Sequence, residues 1–251
     1  MSDTARSRIA TLALRLVGVG LIAAVSAVLL TRFGIISASG GVFGTAGSML
    51  VVFLGMLLGL VGLVRAFTGK PGMVPSLVAV VAGAAILFVP VTTALSGGDV
   101  PMIHDITTDL EDPPQFVAVV ALRGEGTNPI DRAAPDLANL QRGAYPHLQT
   151  LTVADDITTV FAAALAEAEA SGWDIADAQE PENGEPGRIE ATDTTLLFGF
   201  KDDVVIRIAD DGPDRTLVDV RSVSRVGQSD LGANAARIDA FLAGLRQRLG
   251  N

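Results

Sequence analysis

Three apolar stretches near the amino terminus constrain this chain more than any other feature. Between Ile9 and about Thr31 the only charge is Arg15, close enough to the start for its side chain to snorkel to a polar boundary. No charged residue lies from Phe33 to Val64, and none from Pro71 to Gly98. Read as spans of about 9–31, 43–64 and 74–95, each has roughly the 20 residues needed to cross a hydrocarbon core about 30 Å thick. The basic start of the first span and the small residues Ser37 to Gly40 superficially fit a cleaved signal peptide. The apolar turns of Ile9–Leu14 before Arg15, and the two spans that follow, favour a retained helix.

The charge distribution divides at the same place. Residues 1–98 carry one acid and six bases, whereas residues 99–251 carry 27 acids and 12 bases, for a formal net charge of −10 overall. This pattern reads as a membrane anchor joined to an acidic, water-soluble domain. Arg6 and Arg8 precede the first span, and Arg65 and Lys70 lie between the second and third. Only Arg32 lies in the other loop. The bias puts the amino terminus in the cytoplasm. Three spans then carry the acidic domain across, which in a bacterium means a multi-pass inner (cytoplasmic) membrane protein with a periplasmic domain. The partners expected are the lipid bilayer and an envelope protein or anionic ligand. Nucleic acid is disfavoured because its binding needs a basic footprint.

Other classes fall away on composition. The chain has no cysteine and two histidines, so disulfides, thiolate chemistry and a histidine-rich metal centre are excluded. No ionisable residue sits in the middle of a span, which argues against a proton or ion pathway. Gly55, Gly59 and Gly62, with Ala79 and Gly83 in the third span, give small faces along which helices can approach closely.

Beyond the spans, residues 99–115 read as a proline-punctuated linker and 116–251 as a soluble domain. Phe116–Leu122 is a short apolar run, and Ala133–Gly143 a short helix. Asp155–Ser171 is an amphipathic helix, with Ile157, Val160, Phe161, Ala164, Leu165 and Ala168 at helical spacing and Thr152 or Asp155 as its cap. The period then changes to two. Trp173–Ala178, Arg188–Phe200, Val204–Ala209 and Thr216–Val226 read as strands, with a hairpin turn at Lys201-Asp202-Asp203 and another turn at Asp210–Asp214. A last helix, Leu231–Leu249, is capped by Ser229 or Asp230. The domain is therefore expected to be α+β, an antiparallel sheet with helices on one face.

Alternation in the last strand sorts its side chains. Val218, Val220, Ser222, Ser224 and Val226 face the helices; Asp219, Arg221, Val223 and Arg225 face away. Arg207 and the pair Arg188 and Glu190 project with the second set. One reading is an open polar platform for an anionic ligand, a lipid headgroup or a protein; the other is a face of cross-strand ion pairs. Ser229, Asp230 and Asn234 follow directly, at the start of the last helix, where an anion could bind or an internal cap could form. Asp230 and Arg237 are spaced to pair. His104, Asp105 and Asp109 offer a weak metal or acid–base cluster, and His147 reads as a surface histidine. No nucleophile elbow, phosphate loop or metalloprotease motif is present. No catalytic residue, metal or cofactor is expected.

Gly187–Ala191, Gly199–Arg207 and above all Asp219–Asn234, read as Asp-Val-Arg-Ser-Val-Ser-Arg-Val-Gly-Gln-Ser-Asp-Leu-Gly-Ala-Asn, resemble the domain of unknown function 1499 family. Ile103–Asp109 and Ala144-Tyr145-Pro146 look like its membrane-anchored bacterial branch. The resemblance covers roughly residues 101–249. It implies that the arginine strand and the Ser-Asp-Leu-Gly turn are the family's signature, and it supplies no catalytic set. The expected function is binding of an envelope component or partner protein without catalysis, through Arg207, Arg221 and Arg225. The alternatives are an envelope hydrolase or transferase using Asp219, Asp230 or His104, and an accessory subunit of a transport complex.

Overall fold

The computed structural model describes residues 7–96, 100–132, 136–212 and 215–250. The chain divides into two units, one of residues 1–98 with Leu197–Gly199 and the other of Asp99–Leu196 with Phe200–Asn251.

The first unit is α1 (Arg8–Arg32), α2 (Ala38–Phe67) and α3 (Met73–Ser96), three helices long and apolar enough to cross a membrane. Ser7 and Ser37 cap the first two by accepting from the backbone N–H groups of Ala10 and Gly40. Their packing inverts that of a soluble bundle. The buried stripe of α1 is mostly small, running through Ala10, Ala13, Val17, Gly20, Ala24, Ala27 and Thr31, while Leu21, Ile22 and Val25 face outward. Apolar bulk gains nothing by leaving lipid, so close backbone approach is what holds such helices together. The small faces expected from sequence make those contacts. A Cβ at Gly55 would lie 2.9 Å from the Val17 nitrogen, and one at Gly59 would lie 3.1 Å from the Ser76 carbonyl oxygen.

The second unit is α+β. Its elements are β1 (Asp105–Thr107), a 3-10 turn (Val119–Leu122), α4 (Leu137–Ala144), β2 (Leu151–Val153), α5 (Ile157–Ala170), β3 (Asp174–Gln179), β4 (Gly187–Thr194), β5 (Lys201–Asp210), β6 (Thr216–Ser224) and α6 (Ala233–Leu249). The sheet is antiparallel in the order β1-β6-β5-β4-β3. β2 pairs with Thr216–Val218 of β6, so β1 and β2 lie end to end along one edge. Helices α5 and α6 cover one face. Val160, Phe161 and Ala164 of α5 and Ile238, Phe241 and Leu245 of α6 close over Ile189, Ile206, Ile208, Val218 and Val220. Trp173 stacks on Phe241 within this core, their ring centroids 5.4 Å apart.

Four local readings need correction. The segment read as a linker supplies β1, because Asp105–Thr107 pairs with Arg221–Val223. The β4–β5 turn is not at Lys201-Asp202-Asp203: those residues begin β5, and the chain reverses through the apolar 195–200 loop, closed by the Thr195 N–H donating to the Phe200 carbonyl. Asp156, not Thr152 or Asp155, caps α5, accepting from the N–H groups of Thr158 and Thr159. At α6, Asp230 accepts from the Gly232 and Asn234 N–H groups, but Arg237 pairs with Asp193 and Asp202 rather than with Asp230. The first three residues of the expected 133–143 helix, and Pro213 and Asp214 of the expected turn, lie outside the described residues.

Candidate functional site

The second face of the sheet carries the residues that alternation assigned to it, but it is not open. The irregular segment 113–130 lies across it, and Phe116 and Val119 pack on Val205 and Val223. This cover explains the state of the arginines. A guanidinium in such a place must have its charge balanced and its N–H groups accepted.

Arg221 is the most enclosed, with 1% of its surface exposed. Its Nε and Nη2 donate to the two Asp105 carboxylate oxygens at 3.0 and 2.8 Å. The remaining donors reach the carbonyls of Pro114 and Ile130, and the Phe116 ring lies 5.0 Å from the guanidinium carbon. Arg225 embraces the carboxylate of Asp203 and also donates to the Leu122 carbonyl. Arg123 joins the same Asp203 carboxylate. Arg207 is more open and meets three acids, Asp109, Asp112 and Asp219, at 2.7–2.9 Å. Desolvation alone would lower its pKa, but the hydrogen bonds and charges of Asp219 and Asp112 together raise it. Glu190, buried between the sheet and its cover, accepts from the N–H groups of Val117 and Val119 and lies 2.8 Å from Arg188 Nε. Arg221, Arg225, Arg123 and Glu190 thus clamp segment 113–130 onto the sheet, while Arg207 ties Asp109 and Asp112 to Asp219 of β6.

The other sequence candidates hold the start of α6. Asn234 donates to the His104 carbonyl and to Ser224 Oγ and accepts from Ser222 Oγ, tying the helix to β1 and β6. Ser229 donates to the Pro101 carbonyl at 3.4 Å. Asp219 accepts from Thr108 and Thr150 as well as Arg207. His104, Asp105 and Asp109 have separate partners: the Gln228 carbonyl, the Arg221 and Arg132 guanidiniums, and Arg207. Among the described residues no group of three side chains is arranged to hold a metal. His147 is exposed and lies 3.0 Å from Asp239.

Sequence reasoning did not find the cavity beside β1. It has a volume of about 510 Å³, and its walls include Met102, His104, Asp105, Arg132, Leu140 and Gln228. Arg132 donates to Asp105 Oδ1 at 2.6 Å, so one carboxylate serves both Arg132 and Arg221. Burial lowers the Arg132 pKa, Asp105 opposes that, and the neighbouring Arg221 charge adds to the lowering. Arg132 also holds a left-handed backbone, with φ at 51°, and strain of this kind collects where a side chain must be aimed. The wall therefore joins apolar side chains to a buried arginine–aspartate–arginine cluster. Local periodicity could not have revealed it, because its walls come from stretches as far apart in sequence as Met102 and Gln228.

These features define an antiparallel α+β domain whose polar sheet face is sealed by its own chain, joined to three apolar helices. The chain belongs to the family described as Protein of unknown function (DUF1499), whose model matches residues 105–245, from the first residue of β1 into α6. Among curated proteins no significant match is found. Among solved structures, CalU16 from Micromonospora echinospora is similar at 15% identity over 39% of this chain and 80% of its own, with a TM-score of 0.24.

Proposed function

We propose that the domain binds an amphipathic component of the cell envelope, without catalysis, in the cavity beside β1. The observation that carries this reading is the composition of its wall. Met102, Leu137 and Leu140 offer apolar surface, while Arg132 and His104 offer donors to a polar head. A volume of about 510 Å³ falls in the range of small-molecule sites, about 300–1,000 Å³. Arg221 serves the cavity indirectly, by fixing the carboxylate that holds Arg132. Ser229 and Asp230 fix the turn that carries Gln228 to the rim. Arg225 belongs to the clamp on segment 113–130, and Arg207 and Asp219 to the ion-pair group that holds Asp109 and Asp112 to β6.

The loop charges favour a cytoplasmic amino terminus, and with three crossings the domain works on the far side, the periplasm of a bacterial inner membrane. An envelope component is what a domain in that position meets. Native mass spectrometry of the full chain in mild detergent tests the reading. A discrete small mass should accompany the wild type and the Asp112→Asn variant, and should be lost when Leu140→Trp fills the cavity. A mass retained in Leu140→Trp would put the ligand elsewhere and overturn it.

A further inference from the structure

The β4–β5 hairpin reverses the usual chemistry of a turn. Hairpin loops ordinarily take Gly, Asn and Asp, and the strands beside them carry the apolar residues. Here the turn is Thr195-Leu196-Leu197-Phe198-Gly199-Phe200, and the charged Lys201-Asp202-Asp203 lies in the strand. Asp202 and Asp203 are paired inward with Arg237 and Arg225, so the apolar residues are pushed to the tip. Leu196 there is 84% exposed.

The tip does not stand alone. Lys201, at its base, accepts at its carbonyl from the Arg225 N–H, and Arg225 donates to the Leu122 carbonyl. Two residues past Gly227, Ser229 reaches the Pro101 carbonyl, and the Asp230 N–H reaches that of Ile103. These bonds gather four separate segments at one end of the sheet, and each presents an exposed apolar side chain: Leu196, Leu122 at 57%, Leu231 at 64% and Met102 at 68%. Leu231 holds a left-handed backbone with φ at 54°, a conformation that favours glycine or asparagine over leucine. Lys201, the one lysine of residues 99–251, is exposed at the base of the tip, with a stem long enough for its amine to stay in water while the tip is buried.

We infer that this end of the domain is a membrane-contact surface, with Leu196, Leu122, Leu231 and Met102 inserted into the lipid interface. The occupant is argued from the chain itself. Met102 and Pro101 belong to the segment that follows α3, and α3 is apolar enough to cross a membrane, so a lipid surface is tethered to this end by covalent connection. A ring of separate apolar side chains with a basic residue at its edge is the chemistry of shallow interfacial insertion.

The absence of native cysteine makes the test direct. Leu196→Cys, Leu231→Cys and, at the far end of β4, Glu182→Cys are each labelled with an environment-sensitive fluorophore in the full chain. The protein is held in nanodiscs of equal phosphatidylcholine and phosphatidylglycerol. Trp173 emission checks that each variant is folded. At positions 196 and 231, spin-labelled lipid should remove most of the emission and aqueous iodide little; at 182 the reverse should hold. Iodide quenching at 196 equal to that at 182 would overturn the inference. So would shielding from both quenchers, which would assign the surface to a protein partner or a second copy.

Discussion

Asp203 and Arg225 meet diagonally across β5 and β6, with Arg225 two residues beyond the Val223 that stands opposite Asp203. The carboxylate is wholly buried and accepts from Arg225 Nη2 at 2.7 Å. Arg123, from the segment that covers the sheet, binds the same group. One carboxylate therefore pairs with two guanidiniums, and it does so at the seam between the sheet and its cover.

Asp203→Asn should accordingly be severe. Removing the charge leaves two enclosed cations without a counter-ion, and breaking a buried pair of this kind costs about 3–5 kcal/mol. Asp112→Asn removes a partner of Arg207 whose side chain is 81% exposed, and it should cost less than about 1 kcal/mol. Both are measured by chemical unfolding of the full chain followed at Trp173, the one tryptophan. Equal effects would show that the seam is not where the stability lies.

Gly55→Leu tests the apolar helices. A Cβ at Gly55 already meets the Val17 nitrogen at 2.9 Å and the Ala13 carbonyl oxygen at 3.0 Å, and backbone cannot yield as a side-chain tip can. Overpacking of about 1–3 kcal/mol or more is expected. It should be read as a lower melting temperature of helical circular dichroism in detergent, with Trp173 emission unchanged.

Asp156 supplies a pH-dependent term at the start of α5. Hydrogen bonds from Thr159, first from its hydroxyl and then from its N–H, hold the carboxyl below its ordinary value of 3.8. A group whose pKa is depressed by folding stabilises the fold above its unfolded value and loses that contribution as pH falls through the folded one. Asp156→Ala should therefore melt earlier than wild type at neutral pH, and the difference should shrink on acidification below 3.8. A constant gap across the acid range would contradict this.

Orientation is checked with reporters fused to the carboxy terminus. One that fluoresces only in the cytoplasm should stay dark, and alkaline phosphatase, which needs an oxidising space, should be active. Moving Arg65 and Lys70 into the first loop should weaken or reverse that result, because loop cations set the direction of insertion.

How much of this was legible depended on period. Helices α5 and α6 and the two faces of β6 follow from spacing, and Val218, Val220, Asp219 and Arg221 face as alternation requires. Strands β1 and β2, with three residues each, are too short to show a period. The hairpin was misplaced because Lys201-Asp202-Asp203 has the polarity of a turn, and only the inward arginines make those aspartates strand residues. Both readings of that face, binding platform and cross-strand ion pairs, left it uncovered, because segment 113–130 has no periodicity to mark it as a cover. The partner of Arg221 lies 116 positions away, a distance at which local pattern carries no information. The cavity beside β1 was missed for the same reason.

That long reach has a consequence in time. The strand bearing Asp105 is made first, and the arginine it must neutralise emerges 116 residues later. At synthesis rates of about 5–20 residues per second, the wait is roughly 6–23 s. During it β1 has no strand to pair with, and Asp105 lacks the arginine that it meets across the sheet. Closure of the sheet, and with it the burial of Arg221, is therefore a late event that depends on nearly the whole chain having been delivered.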